Sequence, residues 1–303
     1  MTDGSSSYAS RFYASTDGLP LHAREYGSPD DPGIPVVCLP GLTRNAADFD
    51  PLARVLAAGG AGKPRRVLSV DYRGRGRSGY DPNWRNYSLE IENADLLAVL
   101  SAARIERAIF IGTSRGGLHA MGLSATCPAV IEGVVLNDIG PVLDPAGIAR
   151  IVSYVGKTPV PRSLAEAVAI LKGRMADQFT ALDEADWIAC ANATFVDADG
   201  ALRSLYDANL MKAFAETVAI TPLPTFWPFF EGLRERPILV VRGANSDLLS
   251  PETVSEMVAR AETCAVHVVE GQGHAPLLND AATIGRICSF TVEAETAARA
   301  RTA

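Results

Sequence analysis

The sequence predicts an α/β fold: a mostly parallel central sheet with helices on both faces, an antiparallel hairpin at its N-terminal end, and an inserted helical segment. Three observations predict it. Short, continuous apolar runs alternate with helix-compatible stretches, the pattern of parallel strands covered on both faces. That alternation stops at Gly140-Pro141 and resumes at Pro237. One apolar run, residues 108–111, leads into Gly112-Thr113-Ser114-Arg115-Gly116 and then a helix-compatible run. This is the strand–turn–helix setting in which a G-x-S-x-G serine is exposed at the carboxyl edge of a sheet.

Each element has a local reason. Residues 11–16 and 19–26 flank Asp17-Gly18, a strong hairpin turn signal, and read as the hairpin. Residues 1–10 are polar and small and read as a loose tail. Strands are expected at 35–39, 67–70, 108–111 and 130–136. Helices are expected at 46–58, 89–103 (with Ser88 as N-cap) and 117–125. From Pro141 to Gly232 no strong strand is expected. Alanine-rich helical stretches at 163–175, 183–193 and 204–215 are separated there by Pro and Gly. A gap of roughly 90 residues is far too long for an ordinary connection, so it reads as a cap. The expected division is 1–140 with 233–303 as core and 141–232 as cap. The sheet then resumes at 237–241, followed by a helix from Pro251, a last strand near Ala265 and a closing helix from Leu277.

Three loops carry candidate chemistry. Ser114 sits in the strand–helix turn, Asp247 follows the run 238–241, and His274 follows the run 265–269. Serine is a weak nucleophile at neutral pH and needs a base. Imidazole suits that task, and a carboxylate on its other nitrogen fixes the tautomer and stabilises the imidazolium. Asp138, at the end of the run 134–136, is the alternative acid. His22, His119 and His267 read as structural or surface residues from their places in a hairpin, a helix and a strand.

In that order, Ser–Asp–His, the chain resembles the α/β-hydrolase superfamily, in its cap-bearing branch, over nearly its whole length. Two further segments carry the resemblance. Leu39-Pro40-Gly41-Leu42-Thr43 is similar to the family's oxyanion loop, with Pro40 where many relatives have His. Asp71-Tyr72-Arg73-Gly74-Arg75-Gly76-Arg77-Ser78 is similar to its D-x-R-G-x-G-x-S loop. The resemblance implies a cofactor-free serine hydrolase acting on a small or medium carboxylic ester or lactone. Ser114 would attack, His274 would move the proton and Asp247 would orient it. The backbone N–H groups of Leu42 and Arg115 would receive the oxyanion. Carbon–carbon bond hydrolysis and prolyl aminopeptidase-like amide cleavage use the same triad and remain open. So does a small-molecule receptor built on the fold. A serine at position 114 argues against the dehalogenase and epoxide hydrolase relatives, which use an aspartate there.

Other features set bounds. Arg73, Arg75 and Arg77 alternate with glycines after an aspartate and read as a salt-bridged structural loop. The Arg115 side chain could hold a substrate carboxylate or pair with Asp138. Trp187, Phe226 and Trp227 are candidate pocket walls; the alternative for the aromatic run 224–230 is to pack the cap's return limb onto the core. A net charge of −7 disfavours nucleic-acid binding. Five scattered cysteines without a C-x-x-C pair suit a reducing compartment. With no apolar leader and no run of about 18 apolar residues, a cytoplasmic protein that does not engage a membrane is expected. Its partner would be a small-molecule substrate, with self-association left open. No metal-binding or dinucleotide motif is present, so neither metal nor cofactor is expected.

Overall fold

The computed structural model describes residues 8–60, 62–198, 201–220 and 222–302. Eight strands form one sheet in the order β1-β2-β4-β3-β5-β6-β9-β10. These are β1 (Ala9–Ala14), β2 (Pro20–Tyr26), β3 (Val36–Leu39), β4 (Val67–Val70), β5 (Ala108–Thr113), β6 (Ile131–Asn137), β9 (Ile238–Gly243) and β10 (Cys264–Val269). β1 and β2 pair antiparallel around the Asp17-Gly18 turn, and β2 pairs antiparallel with β4. Every later neighbour is parallel. The expected loose segment 1–10 falls on residues 1–7, which lie outside the described residues, and Ala9 and Ser10 already belong to β1.

The inner strands β3, β4, β5, β6 and β9 are largely apolar on both sides because both sides are covered. Ile109 and Ile111 of β5 pack with Leu52, Leu56, Ile287 and Phe290 from α1 (Asp50–Ala57) and α10 (Ala281–Thr302). Phe110, one residue out of phase, packs with Leu96, Val99, Ala120 and Met121 from α2 (Leu89–Ala102) and α3 (Arg115–Thr126). The period-two alternation of β-strand side chains thus supplies two cores. The Ser88 hydroxyl accepts from Ile91 N and caps α2. The expected helix 46–58 begins as a 3-10 turn over Ala46–Phe49, because Pro51 sits at the start of α1 and cannot donate to a preceding turn.

The insertion leaves the sheet after β6 and returns at its neighbour β9. It contains α4 (Pro145–Tyr154), α5 (Leu164–Met175), α6 (Glu184–Thr194), α7 (Leu210–Val218) and α8 (Trp227–Glu231). Three features depart from expectation, of which the short α8 in the aromatic run is one. α4 was not anticipated; its N-cap is Asp144, whose side chain accepts from Ala146 N ahead of Pro145. A small antiparallel ribbon, β7 (Phe195–Ala198) with β8 (Ala201–Ser204), stands between the expected helices 183–193 and 204–215, where no strong strand is expected. β-Branched or bulky Phe195, Val196 and Leu202 fill it, and α7 accordingly starts later than residue 204. α5 and α6 share an apolar cluster of their own with Phe179 and Phe195, onto which Leu277 of the core packs.

The Arg-Gly loop is a buried ion-pair frame, as its composition suggests. Arg73 binds Asp81 and Asp95 at 2.6 Å each, and Arg75 binds Glu92 at 2.5 Å. The same loop holds the insertion: Gly76 N donates to Leu205 O and Asp207 N to Gly74 O, at 2.8 Å each. Gly74 and Gly76 have positive φ, and a Cβ on Gly76 would lie 2.2 Å from the Asp71 carboxylate.

Candidate active site

The sheet order reverses at β3: the chain places β4 on one side of it and β5 on the other. The carboxyl ends of β3 and β5 therefore open a crevice, the usual ligand site of an open α/β sheet. Ser114 stands at the end of β5 with φ 52° and ψ −116°, a left-handed conformation that an L-residue adopts only under constraint. The constraint is the tightness of the turn. A Cβ on Gly112 would lie 2.5 Å from the Gly116 backbone, and one on Gly116 would lie 2.0 Å from Leu39 O. The two glycines let α3 start against β3 and β5, which lifts the serine clear of both.

Ser114 and His274 are brought together. Ser114 Oγ lies 2.9 Å from His274 Nε2. His274 Nδ1 lies 2.8 Å from an oxygen of Asp138. The three side chains form a continuous row in which a proton can pass from hydroxyl to imidazole while a carboxylate faces the charge that develops.

The acid in that row is not Asp247, and the sequence expectation is corrected. Asp247 pairs with Arg150 of α4 through both carboxylate oxygens, at 2.6 and 2.8 Å. Burial is the largest single influence and raises its pKa, but the hydrogen bonds from Arg150 and Gln178 and the charge of Arg150 together outweigh it and lower it. Backbone pairing fixes the outcome: Gly147 N donates to Asp247 O and Asp144 N to Leu248 O, which turns the loop after β9 towards the insertion. Asp138 is wholly buried, with φ 51°. Its other contacts come from that same loop and its strand: Gly243 N donates at 2.9 Å and Ser246 Oγ at 2.5 Å. The loop expected to furnish the acid instead furnishes donors that hold it. Asn137 ties the ends of β5 and the histidine loop together by donating to Thr113 Oγ1 and Pro276 O.

The loop after β3 faces the serine: a Cβ on Gly41 would lie 3.8 Å from Ser114 Cβ. A buried charge network anchors the residues on both sides of that gap. Arg75 Nε donates to Leu42 O at 2.9 Å, and Arg115 Nε donates to Glu92 at 2.7 Å. Glu92 also receives Arg75 and His119. The Arg115 side chain is thus committed to Glu92 and to Tyr87 O, which corrects both of its expected roles, at Asp138 and at a substrate carboxylate. Burial drives the Glu92 carboxyl upward, but the charges of Arg115 and Arg75 overcome this and hold it well below the usual range. Glu92 carried no signal in the sequence, where it is one acid among the apolar positions of α2.

Ser114 and His274 open into a cavity of about 230 Å³ between the sheet edge and the insertion. Leu42, Ile151, Val155, Leu171 and Met175 make much of its wall apolar, and Arg44, Tyr154, Thr158, Arg174 and Tyr206 add polar groups. Trp187, Phe226 and Trp227 do not line it, which corrects the expected pocket. Trp187 is buried inside the insertion against Phe179. Trp227 packs edge-on against Phe230 and under Arg260, and Phe226 packs on the core. Large apolar rings are drawn to whichever core lies nearest, and here each has one. Cys190 also borders the cavity, but burial pushes its thiol up to about 11, so it is not a thiolate nucleophile at neutral pH.

Among the described residues no helix is long and apolar enough to cross a membrane. The profile described as "Alpha/beta hydrolase family" matches residues 36–286. The 3-hydroxybutyrate-oligomer hydrolase of Cupriavidus necator is 35% identical over 269 residues, covering 86% of this chain and 88% of that one. Esterase YbfF of Escherichia coli is 26% identical over 79% of this chain and 85% of its own. The crystal structure of an alpha/beta hydrolase from Novosphingobium aromaticivorans superposes with a TM-score of 0.86 at 38% identity, covering 95% of this chain and 99% of that one. With its strand-to-helix serine turn, its sheet order and its helical insertion, the chain belongs to the alpha/beta hydrolase family, in the branch of cap-bearing ester hydrolases.

Proposed function

We propose that this protein hydrolyses short-chain carboxylic esters through an acyl-enzyme, and that esters of short hydroxy acids such as 3-hydroxybutyrate oligomers are its substrates. The observation that carries the reading is the row Ser114–His274–Asp138 opening into a small cavity. His274 Nε2 takes the Ser114 proton as Oγ bonds to the ester carbonyl carbon. Asp138 holds Nδ1–H and faces the imidazolium. The carbonyl oxygen becomes an oxyanion between the N–H groups of Leu42 and Arg115; the latter lies at the start of α3, where helix N–H groups lack internal partners and the dipole favours an anion. The carbon–oxygen bond then breaks and the leaving alcohol takes the proton from His274. Water, deprotonated by the same imidazole, attacks the acyl-serine and releases the acid.

Two things support a short, hydroxylated acid. The cavity, about 230 Å³, falls below the roughly 300–1,000 Å³ of sites that take drug-sized ligands, which disfavours long acyl chains. The relative named for 3-hydroxybutyrate oligomers is similar over most of both chains. The test is a series of p-nitrophenyl esters from acetate to decanoate, a 3-hydroxybutyrate dimer, and a fluorophosphonate label, each with wild type and Ser114→Ala. Labelling, hydrolysis of the dimer and a preference for the short esters, all lost in the variant, are expected. Turnover that survives in Ser114→Ala sinks the mechanism. A preference for decanoate, or an intact dimer, sinks the substrate assignment.

A further inference from the structure

The charges that border the cavity are not all balanced. Arg44 is: its fork closes on both carboxylate oxygens of Asp48, at 2.7 and 2.6 Å. Asp186 is supplied by neutral donors, Asn279 Nδ2 at 2.7 Å and Asp183 N at 3.1 Å, within the first turn of α6. Arg174, in the last turn of α5, differs. Its Nη1 donates to Thr158 Oγ1 at 2.9 Å and its Nη2 to Lys157 O at 3.1 Å, and its guanidinium carbon stands 5.9 Å from the Tyr154 ring centre. Among the described residues no carboxylate lies within ion-pairing distance of it. A guanidinium carries five N–H donors, so most of its fork is unspent, and it stands half-buried at the cavity wall.

The contacts it does make hold it in place. Thr158 is bonded in turn to Tyr206 Oη at 3.2 Å, and Gly156 N donates to that same hydroxyl at 3.2 Å. This wall belongs to the insertion, whereas Ser114 and His274 belong to the sheet, and Leu42, Ile151, Val155 and Leu171 line the same cavity. The one cavity thus holds a guanidinium with donors to spare and a serine beside a base. A planar fork recognises a carboxylate through two parallel charge-assisted bonds, and fixes direction as well as affinity.

We propose that Arg174 is the carboxylate-binding residue of this site, so that the favoured substrates are short esters bearing a free carboxylate. Arg174 then selects the ester bond next to the free acid terminus, and the enzyme trims oligomers from that end. This rests on the ester-hydrolase reading above and names the part of the substrate that reading leaves open.

The test separates the two. The free-acid 3-hydroxybutyrate dimer and its terminal-amide counterpart are titrated calorimetrically into Ser114→Ala, alone and combined with Arg174→Gln or Arg174→Lys. A hydrogen-bonded charge pair of this kind implies that Arg174→Gln weakens the acid by about 10- to 100-fold, leaves the amide nearly unchanged, and that Arg174→Lys restores part of the loss. Equal binding of acid and amide to the Arg174 protein, equal weakening of both by Arg174→Gln, or no binding of the acid overturns the proposal. Hydrolysis of the acid dimer by the wild-type protein is measured separately. Its absence would refute the ester-hydrolase reading on that substrate while the calorimetry still decides Arg174.

Discussion

Asp138, at the end of β6, holds Nδ1 of His274 at 2.8 Å across a chain separation of 136 residues. Asp247 sits in the neighbouring loop with its carboxylate closed on Arg150. The two aspartates therefore make opposite forecasts. Asp138→Asn removes the charge and allows the wrong imidazole tautomer, so kcat on p-nitrophenyl butyrate falls by roughly 1,000- to 10,000-fold. Asp247→Asn breaks a part-exposed pair worth about 1 kcal/mol or less and leaves kcat near the wild-type value. Steady-state kinetics of the two variants side by side decide the matter, and a reversed ranking would return the acid role to Asp247.

The turn that lifts Ser114 makes a forecast about stability. A methyl on Gly116 would have to share space with Leu39 O, whose distance from the ideal Cβ is 2.0 Å. Backbone cannot step aside as a side chain can, so Gly116→Ala should cost about 3 kcal/mol and displace the serine. Gly285, in α10, has nothing within 4 Å of its Cβ position and is exposed. Gly285→Ala should gain about 0.5–1 kcal/mol from helix propensity alone. Urea unfolding of both variants measures the contrast, and equal effects would mean that the turn tolerates more than its geometry implies.

The same two aspartates explain how far the sequence could be read. Apolar runs located the inner strands because β3, β4, β5, β6 and β9 are covered on both faces, the Asp17-Gly18 turn marked the more exposed hairpin, and the G-x-S-x-G turn declares itself by its glycines. Choosing between Asp138 and Asp247 is a different kind of question. Both follow strands, and those strands, β6 and β9, are neighbours with parallel ends at the same edge. Which carboxylate turns to His274 depends on α4 and its Arg150, and α4 was itself unanticipated. The pocket was misjudged for a related reason. Aromatic content marks apolar surface without saying which core will take it, and Trp187 and Trp227 each found a core away from the cavity. Arg174 lacks any local signature, since a helix-ending arginine is ordinary until the cavity around it is known.

His119 supplies a pH forecast. Burial pushes its imidazole down to about 4 from an ordinary 6.5, against the upward pull of the Glu92 carboxylate. A group whose folded pKa is depressed contributes its full stability above the unfolded value and loses it as pH falls to the folded one. Over that window the loss is about 3 kcal/mol, since the unfolded chain takes up the proton first. Stability by urea titration should therefore drop between pH 6.5 and 4, and His119→Gln should flatten part of that slope. Parallel curves for the two proteins would show that His119 titrates alike folded and unfolded.

Glu92 links the two backbone segments assigned to the oxyanion. One oxygen receives Arg75 at 2.5 Å, and Arg75 in turn donates to Leu42 O; the other receives Arg115 at 2.7 Å. The carboxylate is wholly buried, so Glu92→Gln leaves two guanidinium groups facing a neutral amide. Breaking one side of such a pair costs about 3–5 kcal/mol. If the frame also sets the spacing of the Leu42 and Arg115 N–H groups, kcat falls while KM changes little. The fall should be about 10- to 100-fold, short of the hundred- to thousandfold cost of deleting an oxyanion donor outright. Glu92→Asp keeps the charge and should recover part of both losses. Thermal melts and p-nitrophenyl butyrate kinetics on the two variants separate the roles. A Glu92→Gln protein that melts early yet keeps its kcat would confine Glu92 to holding the loops together, and the alignment of the amides would then have to come from the glycines at positions 41 and 116.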